Sequence, residues 1–320
     1  MIGGTRRGVV LAATDSRPHG KAYNRKCHPG ANRLSGHLAH GFARIVHEMP
    51  TNLTEITVAS LKTFTEEVET RMQAAERLWY RGCGARSYAL TPGLFRHPTR
   101  AGIEDLLTLE KSLLTSFRHR SLPYLANQPT TDFEWLFLMQ HQAVPTRLLD
   151  WTENPYVALF FALSSAPIVS RTADGTPEYK EDCSVWLLDP AIWNRRSLNR
   201  VTFSEGILSA GDELLKGYAP GTDPRIMNTD PIALYGVHNS RRIVAQRGVF
   251  VVFGKDLHPM EHIFSAGDYP EPALTKLNIP AAKVADLLKA LTSIGVTDSA
   301  IYPDLDGLAK EIKRAAGFYI

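Results

Sequence analysis

The stretch that most constrains this chain is Ala143–Leu163, AVPTRLLDWTENPYVALFFAL. Behind Asn154-Pro155, the residues Val157, Ala158, Phe160, Phe161 and Ala162 cover nearly every side of a helix. A helix that is apolar all round has to be enclosed, so this one lies inside the fold. Asn154 suits its N-cap and Pro155 its first turn. Just before it, Thr146–Thr152 reads as a strand. Leu148 and Leu149 are adjacent, so the strand does not alternate; it is buried on both faces or it bends. Arg147 and Asp150 lie within it, and an unpaired charge in a low-dielectric interior costs roughly several kcal/mol. Each must find a partner, a ligand or water. The free N–H groups at the start of the buried helix favour an anion nearby and make that end a candidate floor for a cleft. In the plainer reading, Arg147 and Asp150 simply lock strand to helix.

The 320 residues, 44% apolar and 22% charged, fit one large domain or a domain with extensions. A net charge of +3 is too small to argue for nucleic acid. The basic excess is local: Met1–Pro50 holds eight Lys/Arg against Asp15 and Glu48, and the remainder is slightly acidic. Residues 1–48, rich in Gly, His, Arg and Asn without periodicity, are expected to be a disordered basic extension, or sequence upstream of a start at Met49. Cys27, His28, His37, His40 and His47 match no zinc spacing, so no metal site is expected. Cys27, Cys83 and Cys183 are too few and too scattered for a disulfide framework, which suits a reducing cytoplasm. No apolar run reaches the roughly 18–20 residues of a membrane span.

Residues 49–320 read as one α+β domain. Strands are expected at 55–58, 78–82, 184–188, 231–235 and 248–253. Helices are expected from the Ser60 cap to about Glu76, then over 102–118, 132–141, from Asn154, over 281–291 and over 305–316. Residues 165–183 and 194–231 read as loop-rich insertions.

Polar residues interrupt this pattern in three places. Arg81 ends a strand beside Gly82, where its planar fork can grip a phosphate or carboxylate and the glycine lets a ligand approach the backbone. The plainer reading pairs Arg81 with a core carboxylate such as Glu110 or Asp150. His141 closes a predicted helix just ahead of the polar strand and titrates in the range of general acid–base work. Gln246 precedes Arg247-Gly248 and an apolar strand, and its amide suits a ribose hydroxyl or a carboxamide; the alternative is a surface turn of solvated arginines.

In this order the motifs resemble a known family. Tyr80-Arg81-Gly82 looks like the signature that names the FRG domain. Gln140-His141, Pro145–Thr152 and Asn154-Pro155 look like its longest motif, and Gln246–Phe250 and Tyr302–Leu308 like its later ones. Ala143 stands in a stretch where that family often has glycine. The resemblance implies a split, mixed or antiparallel β core with flanking helices, similar to a remote ADP-ribosyltransferase, with NAD as co-substrate. It implies Arg81, His141, Asp150 and Gln246 as catalytic residues, and Tyr80, Arg81, Gly82, Thr146, Arg147, Trp151 and Thr152 as the cofactor contacts. Gln246 stands where such enzymes carry a glutamate, so Asp150, Glu110 or Glu205 would supply the negative charge. The implied role is a cytoplasmic toxin or anti-phage effector acting on nucleic acid or protein, with an antitoxin partner. Alternatives are a nucleotide-binding module without transferase activity and a phosphoester hydrolase using His141.

Overall fold

The computed structural model describes residues 53–125, 127–173, 175–199, 206–237 and 241–318. The expected basic extension, with Cys27 and its histidines, lies outside the described residues, as does Glu205. The strands are β1 (Thr54–Thr57), β2 (Trp79–Cys83), β3 (Leu148–Thr152), β4 (Ile168–Arg171), β5 (Pro177–Tyr179), β6 (Cys183–Leu188), β7 (Leu208–Ser209), β8 (Ile232–Tyr235), β9 (Gly248–Val252) and β10 (Leu274–Ile279). The helices are α1 (Leu61–Ala74), α2 (Ile103–Ser121), α3 (Asp132–His141), α4 (Pro155–Ser164), α5 (Pro190–Ser197), α6 (Arg241–Gln246), α7 (Met260–Ala266), α8 (Val284–Ser293), α9 (Asp298–Ile301) and α10 (Leu305–Ala315).

Eight strands form one sheet in the order β1-β10-β6-β2-β3-β9-β8-β7, and β4 and β5 form a separate hairpin. Within the large sheet β1 runs parallel to β10 and β7 parallel to β8; the other neighbours are antiparallel. The result is a mixed, mostly antiparallel sheet flanked by helices. At its centre the ladder nearly lapses. β2 and β3 share a single registered pair, Tyr80 with Thr152, whereas β2 holds β6, and β3 holds β9, over five pairs each. The sheet opens between β2 and β3.

Side-chain alternation distributes three apolar clusters over the two faces. Trp79, Leu149, Trp151, Trp186, Val249 and Val251 pack on one face under Trp193 of α5 and Phe264 of α7. The other face carries two clusters. Residues from α4, α1 and α8 cover Tyr80, Val185 and Leu277, while α3 covers Leu148, Phe250 and Val252. As expected, α4 is enclosed: six of its ten residues are buried, and the Asn154 side chain accepts from the Tyr156 N–H at 3.0 Å. The two helical clusters flank the line where β2 and β3 part.

One buried ion pair ties these layers together. Arg147 and Glu110 have side-chain exposures of 0% and 1%. Arg147 Nε donates to both Glu110 oxygens, at 2.9 and 3.1 Å. Its Nη1 donates to the Phe253 carbonyl at 2.6 Å and its Nη2 to the Tyr218 carbonyl at 2.7 Å. One guanidinium thus joins α2, the entry to β3, the exit of β9 and the 3-10 turn Glu213–Tyr218. The role expected for Arg147 as a cofactor contact is corrected here, because its donors are directed into the core.

Several elements differ from the expectation. β10 carries Thr275, Lys276 and Asn278, all buried, so no apolar run betrayed it. Lys276 is accommodated by donating to the Arg86 carbonyl at 3.0 Å and lying over the Trp186 ring. Asp189-Pro190, directly after β6, starts a helix that was not expected, with Asp189 capping the N–H groups of Ala191 and Ile192. The insertion at 165–183 contains the β4–β5 hairpin.

Replacing Arg147 by Ala leaves the Glu110 carboxylate buried and unpaired. The expected loss of unfolding free energy in urea is about 3–5 kcal/mol. Arg147→Met combined with Glu110→Leu is expected to keep more stability than Arg147→Ala alone.

Candidate functional site

The site begins with the way α3 ends. Ala143 has φ 57°, in the left-handed region. Its N–H bonds the Gln140 carbonyl at 3.0 Å, and the Val144 N–H bonds the Met139 carbonyl at 2.9 Å. This bond pair closes a helix around one left-handed residue, a position that glycine fills most easily. The chain then turns back beneath α3, so the Thr146 hydroxyl donates to Gln140 Oε1 at 2.6 Å and accepts from the Leu148 N–H at 3.0 Å. With its oxygen so held, Gln140 turns its Nε2 toward Asp150 and donates to Oδ2 at 2.7 Å. Thr146 is itself fully buried. It orients Gln140, and through it Asp150, rather than meeting a ligand as expected.

Arg81 stands where β2 and β3 part. Its Nη1 donates to the Asp150 main-chain carbonyl at 2.5 Å, so a side chain bridges strands that the ladder no longer joins. Its Nε is buried and has no hydrogen-bond partner among the described residues. Of the two carboxylates the plainer expectation offered, Glu110 is occupied by Arg147, and Asp150 is met through its main-chain carbonyl. Gly82 has a packing reason beside the one expected. A Cβ there would lie 2.0 Å from the Ala158 carbonyl oxygen and 2.5 Å from the Ala162 nitrogen. Its bareness lets α4 press against β2.

Above the opening, between α3 and α4, lies a cavity of about 280 Å³. Its lining includes Tyr80, Arg81, Gly82, His141, Asp150, Trp151, Thr152 and Gln246, so three motifs separated in sequence converge on one hollow. Thr146 and Arg147 are absent from it. Trp151 borders the cavity but is 3% exposed and packs with Trp79 and Leu149 in the cluster on the opposite face. The aromatic walls come instead from Tyr80, Phe137, Phe161 and Phe250, with Phe137 and Phe250 stacked at 4.7 Å. The N-terminus of α4, expected as the floor, does not line the cavity; Phe161 and Ser165, at the other end of the helix, do.

The third wall is α6, which contributes Arg242, Ile243 and Gln246. The Thr152 hydroxyl donates to the Gln246 carbonyl at 2.5 Å, tying α6 to β3. The Gln246 side chain donates to the Ile301 carbonyl at 3.2 Å, and the Arg242 guanidinium lies 4.7 Å from the centre of the Tyr302 ring. The C-terminal motif therefore braces α6 from behind. Arg242 was missed by the sequence reading because Arg241-Arg242 looks like an ordinary solvated pair. Gln140 belongs to the longest motif, but its role depends on a fold-dependent contact with Asp150.

Electrostatics distinguish the titratable groups. Burial, aided by the Arg242 cation, holds His141 below the usual histidine range, with Asp150 and Asp304 pulling the other way. His141 is thus a neutral imidazole at pH 7, able to accept a proton. Burial pushes the Tyr80 phenol up to about 12, so it remains a donor. Among the described residues, Asp150 is the one carboxylate that lines the cavity.

A family model for the FRG domain matches residues 76–168, from just before β2 to the start of β4. The segments around Gln246 and Tyr302 lie beyond that match. No curated protein and no solved structure matches this chain.

Ala143→Gly relieves the left-handed strain and is expected to raise unfolding free energy by about 1 kcal/mol in urea titration. In an NMR titration, removing the neighbouring cation with Arg242→Ala is expected to raise the His141 pKa. Removing the carboxylate charge with Asp150→Asn is expected to lower it further.

Proposed function

As this chain carries an FRG domain, we propose that its cavity is a nucleotide site with ADP-ribosyltransferase-like chemistry, using NAD to modify a nucleic-acid or protein acceptor. The observation that supports this most is the meeting of Arg81, His141, Asp150 and Gln246 at the opening between β2 and β3, under aromatic walls. Loss of nicotinamide from a ribose passes through an oxocarbenium-like transition state. Such a state needs an oriented ribose and negative charge beside the anomeric carbon. Asp150, held by Gln140, is the carboxylate available for that role; Glu110 is not, since it is sealed in the core with Arg147. Gln246 keeps an amide oxygen with which to accept from a ribose hydroxyl. Tyr80 and the phenylalanines offer flat faces for the nicotinamide ring. The biological role this reading carries is that of a toxin or anti-phage effector.

A second reading, hydrolysis of a phosphoester, is favoured by the neutral His141, which could take a proton from water beside Arg81 and Arg242.

Purified protein incubated with labelled NAD and separate RNA, DNA and protein acceptors distinguishes these readings. Transfer of label with release of nicotinamide is expected, lost in Arg81→Ala and reduced about 100-fold or more in kcat in Asp150→Asn. Cleavage of a nucleotide without NAD, abolished by His141→Ala, would support the second reading. Intact NAD under every acceptor condition would remove the first.

A further inference from the structure

A second hollow of about 480 Å³ adjoins the first and shares Arg81, Gln140, His141, Asp150 and Arg242 with it. Its remaining walls come from the 3-10 turn Gly93–Arg96 and from Ala143–Pro145, Leu148 and Leu149. The character changes across the boundary. The first hollow is walled by Tyr80, Phe137, Phe161 and Phe250; among the described residues the second has no Phe, Tyr or Trp in its lining and adds Arg96. Three guanidiniums, Arg81, Arg96 and Arg242, thus border the second hollow, against the single carboxylate of Asp150.

None of the three arginines is in an ion pair among the described residues. Arg81 donates to a main-chain carbonyl, and its buried Nε has no hydrogen-bond partner among the described residues. Arg242 lies over Tyr302. Arg96 is exposed at the rim, on a turn fixed by the Leu94 N–H donating to the Thr146 carbonyl at 3.0 Å and by the edge-on packing of Phe95 against Phe253. His141 adds no positive charge at neutral pH, since burial and Arg242 hold it neutral. Like charges brought together without carboxylate partners repel one another, and an anion relieves that repulsion. Guanidinium forks match phosphate oxygens two at a time.

We propose that this second hollow is a diphosphate subsite, with Arg96, Arg81 and Arg242 gripping the diphosphate of a ligand whose flat ring lies in the first hollow. A diphosphate fits better than a lone phosphate because the arginines come from three separate elements: β2, the Gly93–Arg96 turn and α6. A small nucleotide fits better than a polynucleotide because the cationic hollow adjoins an aromatic one of only about 280 Å³. The diphosphate assignment does not require turnover. Only the idea that the same ligand is NAD rests on the function proposed above.

Isothermal titration of the full chain with inorganic pyrophosphate tests it. Binding is expected that weakens with added salt and falls at least about tenfold in Arg96→Ala, with partial retention in Arg96→Lys. Because Arg96 is exposed, the change should leave the fold intact, and an unchanged thermal transition would verify this. Competition with a nucleoside diphosphate and with a short single-stranded oligonucleotide identifies the source of the phosphate. Wild-type binding of pyrophosphate unaffected by Arg96→Ala, or no binding at all, would overturn the proposal. Arg96-dependent binding of the oligonucleotide without binding of pyrophosphate would overturn it too, assigning the hollow to a nucleic-acid backbone. Arg96-dependent pyrophosphate binding in a protein that leaves NAD intact keeps the subsite and discards only the transferase.

Discussion

The Arg147–Glu110 pair is the constraint on which the arrangement of this molecule rests. A charged pair in the core is tolerable only when its remaining donors are satisfied. Here the donors are satisfied by main-chain carbonyls of two other segments, Phe253 and Tyr218. The requirement reaches further than one pair. It sets where β3 enters the sheet, how β9 leaves it and where α2 lies behind them. Asp150 is three residues along the strand from Arg147, so the position of the cavity carboxylate is inherited from that anchor.

The second constraint is the opening in the sheet. A strand pair that stops after one registered position leaves main-chain groups to satisfy by other means. Arg81 meets part of that need by donating to the Asp150 carbonyl. The residue that repairs the sheet is also the one presented to the cavity. Gly82 lets α4 come close on one side, while the left-handed turn at Ala143 brings α3 back over β3 on the other. The hollow is what remains between two helices that cannot meet across the opening. Its polarity follows from which residues lie at the broken edge.

The chemistry follows from the division of labour among neighbouring polar residues. Thr146, Arg147 and Asp150 are close in sequence and looked alike as candidates. Thr146 is buried and orients Gln140, Arg147 is buried and neutralised, and Asp150 is exposed to the cavity. Both buried groups act through structure on the one that is open. The C-terminal motif has a similar indirect part, since Ile301 and Tyr302 hold α6 in place against the cavity.

Local patterns in the chain were enough to identify the enclosed α4, the capped starts at Ser60 and Asn154, the strand preceding α4, and a set of polar positions that had no place in an apolar core. Those features depend on neighbours a few residues apart, so they are legible without a fold. β10 was not legible, because its buried Lys276 and Asn278 are stabilised by groups remote in sequence. Nor could the sequence alone choose between Arg81 and Arg147: both are arginines beside strands, and either could have paired with Glu110. Tertiary structure decided it, because a guanidinium is buried only where carboxylate and carbonyl acceptors meet it from several directions. Only one of the two positions is surrounded in that way; the other is left at an opening, where its charge is available to a ligand.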